Sequence, residues 1–260
     1  MTLQQKFITF YTILHKEVTR FIRIWPQTLL PPVINQTLYF VIFGAFIGSQ
    51  IRMVNGISYM TFLVPGLMMM GLITNSFINA ASSFFSMKFQ RSIEEILVAP
   101  VSPWAIICGY TISSMARGIL ISGIIFVVSM FFIPSIFVHL VYPGLAIVFI
   151  ILTALVFSFA GLINGILANK FDDVGIIPTF ILTPLTYFGG VFYSIKNLPH
   201  FWQNLSRFNP VLYMVDGLRF SFYGLADADV FLSAAILIVL ALILGCVAVY
   251  LLRKGVGLRT

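Results

Sequence analysis

The sequence predicts an all-α polytopic membrane protein with six transmembrane helices. Three observations predict it: the scarcity of charge, the length of the apolar runs, and the uneven placement of Lys and Arg. Of 260 residues, 60% are hydrophobic and only 9% are charged, and the mean hydropathy is +1.03. A soluble domain carries about 25% charged residues, so lipid rather than water must be the main solvent. The apolar residues also arrive in long runs, not as a periodic stripe.

A spanning helix needs about 20 apolar residues. The stretches that meet this are Leu29 to Ser49, Ile57 to Ser86, Trp104 to Ile133, Val141 to Ala168, Val174 to Tyr193 and Val230 to Leu252. The second, third and fourth exceed the minimum and are expected to tilt or project beyond the hydrocarbon. With the N-terminus in the cytoplasm, Lys6, Lys16, Arg20, Arg23, Lys88, Arg91, Lys170, Arg253, Lys254 and Arg259 fall inside. Only Arg52, Lys196, Arg207 and Arg219 fall outside, and Arg117 lies within the third run. This bias predicts cytoplasmic N- and C-termini. The same bias accounts for the net charge of +7 without nucleic acid.

Residues 1–25 read as an amphipathic helix rather than a span or a cleavable signal peptide. Phe7, Phe10, Tyr11, Leu14, Val18, Phe21 and Ile22 recur at helical steps, with Lys6, Lys16, Glu17, Arg20 and Arg23 mainly between them. Such a helix suits the cytoplasmic interface, with Trp25 as an anchor and Pro26 ending it. The spans and their short connections fill residues 29–193. Residues 194–229 are too polar to span and too aromatic for a free linker, and predict short helices lying at the outer interface or dipping into it. Residues 230–252 form the last span and 253–260 a cytoplasmic tail.

The absences narrow the chemistry. There is no Gly-Lys-Ser or Gly-Lys-Thr phosphate loop, so no ATP site of that type. His15, His139 and His200 are scattered, without metal-ligand spacing. No Gly-x-Ser-x-Gly elbow is present. The spans hold no central Asp or Glu, which argues against a proton-coupled relay. Cys108 and Cys246 read as small buried hydrophobes. A passive channel would need a polar pore ring, which the spans lack.

The connection after the second span, Lys88 to Pro103, is the most informative cytoplasmic segment. Ser92 is placed to cap a short helix, with Glu94 and Glu95 near its positive end. Ile93, Ile96 and Leu97 give that helix an apolar side, and Pro100 and Pro103 stop it. Spacing alone leaves two readings open: a helix that docks on a soluble motor, and an ordinary capped loop helix.

The string from Glu94 through Ile96, Leu97, Val98, Ala99 and Pro100 to Ser102 resembles the hallmark of the ABC-2 membrane permease family. So does Gly189-Gly190-Val191-Phe192-Tyr193-Ser194, followed by Leu198-Pro199, Trp202, Asn209-Pro210, Tyr213 and Asp216-Gly217-Leu218-Arg219. Leader helix, spans, cytoplasmic helix and external motif occur in the family's order over nearly the whole chain. The chain is similar to small bacterial inner-membrane permeases of the multidrug, lipid-linked or polysaccharide export type.

The resemblance implies a permease homodimer on two ABC ATPase subunits. ATP and Mg would be bound by that partner, and no cofactor, metal or catalytic residue by this chain. It implies coupling to the ATPase through Arg91, Glu94, Glu95, Ile96, Leu97 and Pro100. It implies an external gate of paired re-entrant helices involving Gly189, Gly190, Phe192, Tyr193, Asn209, Pro210, Asp216 and Arg219. The second and fifth spans would line an apolar pathway.

Individual residues carry further expectations. Arg117, an intramembrane charge, is expected to snorkel to the cytoplasmic headgroups, the other reading being a bridge to the coupling segment or a lipid contact. Asp216 and Arg219, three apart on one helical face, are read as a pair that fixes the loop. Asp172 and Asp173 beside Lys170 form either a second motor contact or a capped turn. Pro178 and Pro184 are expected to kink the fifth span. The rival functional class, a membrane enzyme or assembly factor acting on lipid-linked precursors, has only the external Asp216, Arg219, Asp227, Asp229 and His200 to draw on.

Overall fold

The computed structural model describes residues 3–48, 50, 53–54, 56–93 and 101–257. The chain is built from helices, with one two-residue hairpin, Met53–Val54 against Ile57–Ser58. The helices are α1 (Leu3–Arg23), α2 (Trp25–Tyr39), α3 (Tyr59–Phe89), α4 (Pro103–Phe132), α5 (Pro143–Leu167), α6 (Phe171–Ile177), α7 (Thr183–Phe188), α8 (His200–Arg207), α9 (Pro210–Tyr223) and α10 (Val230–Lys254).

Four of these, α3, α4, α5 and α10, are long and apolar enough to cross a membrane. The first and fifth predicted spans are each composite. α2 continues as a π-helix over Phe40–Ile47, and α6 joins α7 through a π-helix over Pro178–Leu182. The prolines supply the reason in the second case. Pro178 and Pro184 have no N–H to return to the preceding turn, so the ladder widens there, and the Thr183 hydroxyl donates to the Pro178 carbonyl at 3.0 Å.

α3 is the centre of the protomer. It packs against both α4 and α5, while α10 covers α5, α1 covers α4 and α9 closes over one end. Ser58 caps its start by accepting from the Thr61 amide at 3.2 Å. Phe62, Leu67, Leu72 and Phe77 along it are fully buried. Close approach of α5 depends on Gly161 and Gly165, spaced four apart. Each lies against α3 backbone, at Phe77 and Ala81, where a Cβ would clash.

In the most apolar window of α3, 89% of residues are buried inside the protomer. Most of its surface is taken up by α4 and α5. Cys246 is exposed and Cys108 partly so, which corrects their reading as buried residues; both are free thiols. Glu94, Glu95, Ile96, Leu97 and Pro100 lie outside the described residues. Of that segment Arg91 is seen, in a left-handed turn at φ 58°, followed by helical Ser92 and Ile93.

Candidate functional site

Two polar clusters sit at opposite ends of α3. The first joins the leader helix to the bundle. α1 lays Ile13 and Phe21 against α4, and the same face carries Glu17, only 3% exposed. A buried carboxylate needs partners, and Glu17 has two: its Oε2 accepts from the Ser83 hydroxyl and from Arg20 Nε, the latter at 3.1 Å. Arg20 also donates to Asn79 Oδ1 at 3.3 Å, and Arg117 donates to that oxygen at 3.1 Å. The Asn79 amide in turn donates to Ser114 at 3.0 Å.

Arg117 is held by hydrogen bonds within the bundle. Its second nitrogen donates to the Thr28 carbonyl at 3.2 Å, where α2 begins, and its Nε is buried without a hydrogen-bond partner. These acceptors are close at hand because α1 and α2 pack beside α4. Glu17, Asn79 and Ser83 are site residues that sequence reasoning missed. The available signal was Asn75 and Asn79, amides four apart in an apolar run.

A few turns further on, Lys88 ends α3. Its ammonium donates to the carbonyls of Ile166 at 3.2 Å and Ala168 at 2.6 Å, satisfying the C-terminus of α5. Phe171 packs edge-on against Phe85 and Phe89, with ring centroids at 4.9 and 4.7 Å. The last turn before Arg91 is thus locked to the turn that precedes α6. In that turn Asp173 accepts from the amides of Asn169 at 2.8 Å and Lys170 at 2.9 Å, and these bonds hold its carboxyl below the usual range. Asp173 thus caps the turn.

The second cluster is the cap made by α8, α9 and the residues around them. Gly189 ends α7, and Gly190 adopts φ +76°, which a glycine takes without strain. Asn209 caps α9, accepting from the Val211 amide at 3.0 Å, and donates to the Leu185 carbonyl at 2.6 Å; Pro210 follows at the first helical position. Phe192 is buried among Tyr39, Phe43 and Tyr187, and Tyr193 is partly buried.

Asp216 and Arg219 are both buried and feel each other's charge, but no hydrogen bond or ion contact joins them. Asp216 accepts from the backbone of Asp227 at 2.8 and 2.9 Å and of Ala228 at 2.6 Å. Burial pushes its carboxyl above the usual range, against the pull of those amides. Arg219 donates to the Gly190 carbonyl at 2.9 Å and stacks 3.8 Å above the Phe62 ring. Burial lowers its proton affinity. Side chains three apart share a face, but each here finds a nearer backbone partner. Asp227, named in the sequence only for the rival enzyme reading, ties the cap together: it accepts from Ser194 at 2.8 Å and pairs with Lys196 at 3.1 Å.

This arrangement holds elements together and carries no assembled catalytic constellation among the described residues. Residues 8–223 match the family described as ABC-2 type transporter. The chain belongs to that family. It is 50% identical over 245 residues to the inner membrane transport permease YadH of Escherichia coli K12, covering 94% of each chain. It is 25% identical over 235 residues to nodulation protein J of Rhizobium leguminosarum bv. viciae, covering 88% of this chain and 90% of that one. An ABC-2 type permease with long apolar helices is a multi-pass inner-membrane transport protein. Most of the leader helix, the Lys88 lock and most of the cap fall within the matched region.

Proposed function

We propose that this chain is the membrane half of an ATP-driven exporter, moving an amphiphilic substrate out of the cytoplasm or inner leaflet, with ATP and Mg on a separate ATPase subunit. Two copies form the unit, in a lipid bilayer. Six spans place both termini in the cytoplasm, with the composite first and fifth helical runs crossing beside the four long helices.

The observation that carries this reading is the rigid path leading away from the segment after Arg91. Lys88 fixes the end of α3 to α5, Phe171 fixes it to the start of α6, and Glu17 fixes α1 to the same helix. A push on residues 94–100 would therefore move α3, α5 and α1 together. Interiors this closely packed transmit displacement rather than absorb it.

The lengths agree with a projecting base. α3 has 31 residues, about 46 Å at 1.5 Å per residue, against a hydrocarbon layer of about 30 Å. About 30 Å separates Tyr59 from Asn79 along the helix. That places Arg117, Asn79 and the Trp25 end of α2 at the cytoplasmic edge of the layer, with α1 packed on the part that projects. Arg117 then avoids the cost of the bilayer centre.

The cap is read as the external gate, held shut by Gly190, Asn209, Asp216 and Arg219. The pathway is assigned to a dimer seam formed by the exposed α6–α7 run. Phe180, at 73% exposure, and Ile181 point away from the protomer there.

The test is ATPase stimulation in proteoliposomes. Glu94→Lys with Glu95→Lys should insert and melt normally yet fail to stimulate the partner ATPase. Full stimulation by this variant would refute the coupling assignment.

A further inference from the structure

We infer that a zwitterionic phospholipid of the phosphoethanolamine type binds where the start of α10 meets α5, α8 and α9. Two cavities adjoin there. One, of about 370 Å³, has polar walls of both signs, including Lys196, Gln203, Arg207, Tyr213 and Asp229. The other, of about 450 Å³, is apolar, walled by Leu145, Val148, Phe149, Phe220 and Phe231. Ala228 and Asp229 belong to the walls of both. A chamber edged by charges beside an apolar groove has the shape of a headgroup site next to an acyl-chain site.

The charges select the headgroup. Lys196 is already neutralised by Asp227 at 3.1 Å. Among the described residues Arg207 has no carboxylate partner, and Asp229 uses only one oxygen, which caps α10 by accepting from the Leu232 amide at 2.9 Å. One cation and one anion therefore remain. A phosphate meets the Arg207 guanidinium, and a primary ammonium meets the free oxygen of Asp229. A glycerol headgroup would leave Asp229 unanswered, and a choline headgroup has no N–H to give it. Phe231, 87% exposed, and Leu232 beside the groove face outward, where a lipid chain would lie.

This site goes beyond the exporter reading; only the leaflet it faces rests on the proposed topology. The test is native mass spectrometry of delipidated permease, with phosphatidylethanolamine, phosphatidylglycerol and phosphatidylcholine offered in equal amounts. The ethanolamine lipid should be retained preferentially. Arg207→Gln and Asp229→Asn, the latter keeping the cap acceptor, should each weaken retention about tenfold, the loss of one charge-assisted bond. Ala234→Phe, which fills the groove wall without touching charge, should also reduce it, with melting curves confirming the fold. Unchanged retention in the two charge variants, or equal binding of the glycerol lipid, would overturn the site. Thiol labelling of Lys196→Cys from one side of intact cells, with Cys108 and Cys246 replaced by serine, reports the leaflet separately, so a wrong topology leaves lipid selectivity intact.

Discussion

Arg20 and Arg117 donate to the same oxygen, Oδ1 of Asn79, at 3.3 and 3.1 Å. Two guanidinium groups from different helices thus converge on one neutral acceptor, with Glu17 the carboxylate beside Arg20. Asn79→Leu removes one acceptor from each cation, leaving Arg20 with Glu17 and Arg117 with the Thr28 carbonyl alone. We predict a loss of about 3 kcal/mol of stability. In a cycle with Arg117→Met, the double variant should lose less than the two singles summed, because the methionine no longer needs the amide. Melting temperatures in mild detergent check this.

Lys88 satisfies two carbonyls at the end of α5, so Lys88→Met should expose them at once. The expected cost is about 2 kcal/mol. Proteolysis should become faster in the turn between Ala168 and Phe171 and not in the cap, which the limited-digestion pattern would report.

At Gly190 the cost should come from the backbone alone. A Cβ there would find its nearest neighbour at 3.4 Å, so space exists, but φ is +76°. Gly190→Ala should destabilise by about 1 kcal/mol and Gly190→Asn by less. Arg219→Lys keeps the charge and loses the planar stack on Phe62, for about 1–2 kcal/mol. Thermal melting of the three variants ranks them.

The amides of Asn169 and Lys170 depress the Asp173 carboxyl below its reference value of 3.8. A depressed folded value means that the capping contribution is complete above about pH 4 and disappears as pH falls through the folded value. The melting temperatures of wild type and Asp173→Asn should therefore differ at pH 7 and converge as acidification protonates the folded carboxyl. A difference that grows on acidification would contradict the assignment.

Most of the helical framework is legible in the sequence because lipid imposes a length rule on apolar runs. Predicted spans Trp104 to Ile133 and Val230 to Leu252 lie within two residues of α4 and α10. The two composite runs are less legible, since π-widening depends on how individual proline and glycine turns settle against neighbours. Helix starts at Ser58 and Asn209, and the turn at Gly190, follow from residue chemistry that any sequence displays. Polar partnerships do not. The periodicity that put Asp216 and Arg219 on one face gives no information about the backbone groups of Gly190 and Asp227, which come from distant parts of the chain. Glu17 fell on the polar side of the leader in the sequence pattern, yet Ser83 and Arg20 make burial affordable.

The central claim is that this permease works with a separate ATPase docked near residues 91–100. The most direct measurement is affinity purification of tagged protein from native membranes in mild detergent, followed by mass spectrometry. The account predicts a soluble-type ABC ATPase recovered in equal amount and lost when Glu94 and Glu95 are reversed. Recovery of the permease without any such ATPase, under conditions where a known exporter retains its own, would contradict it.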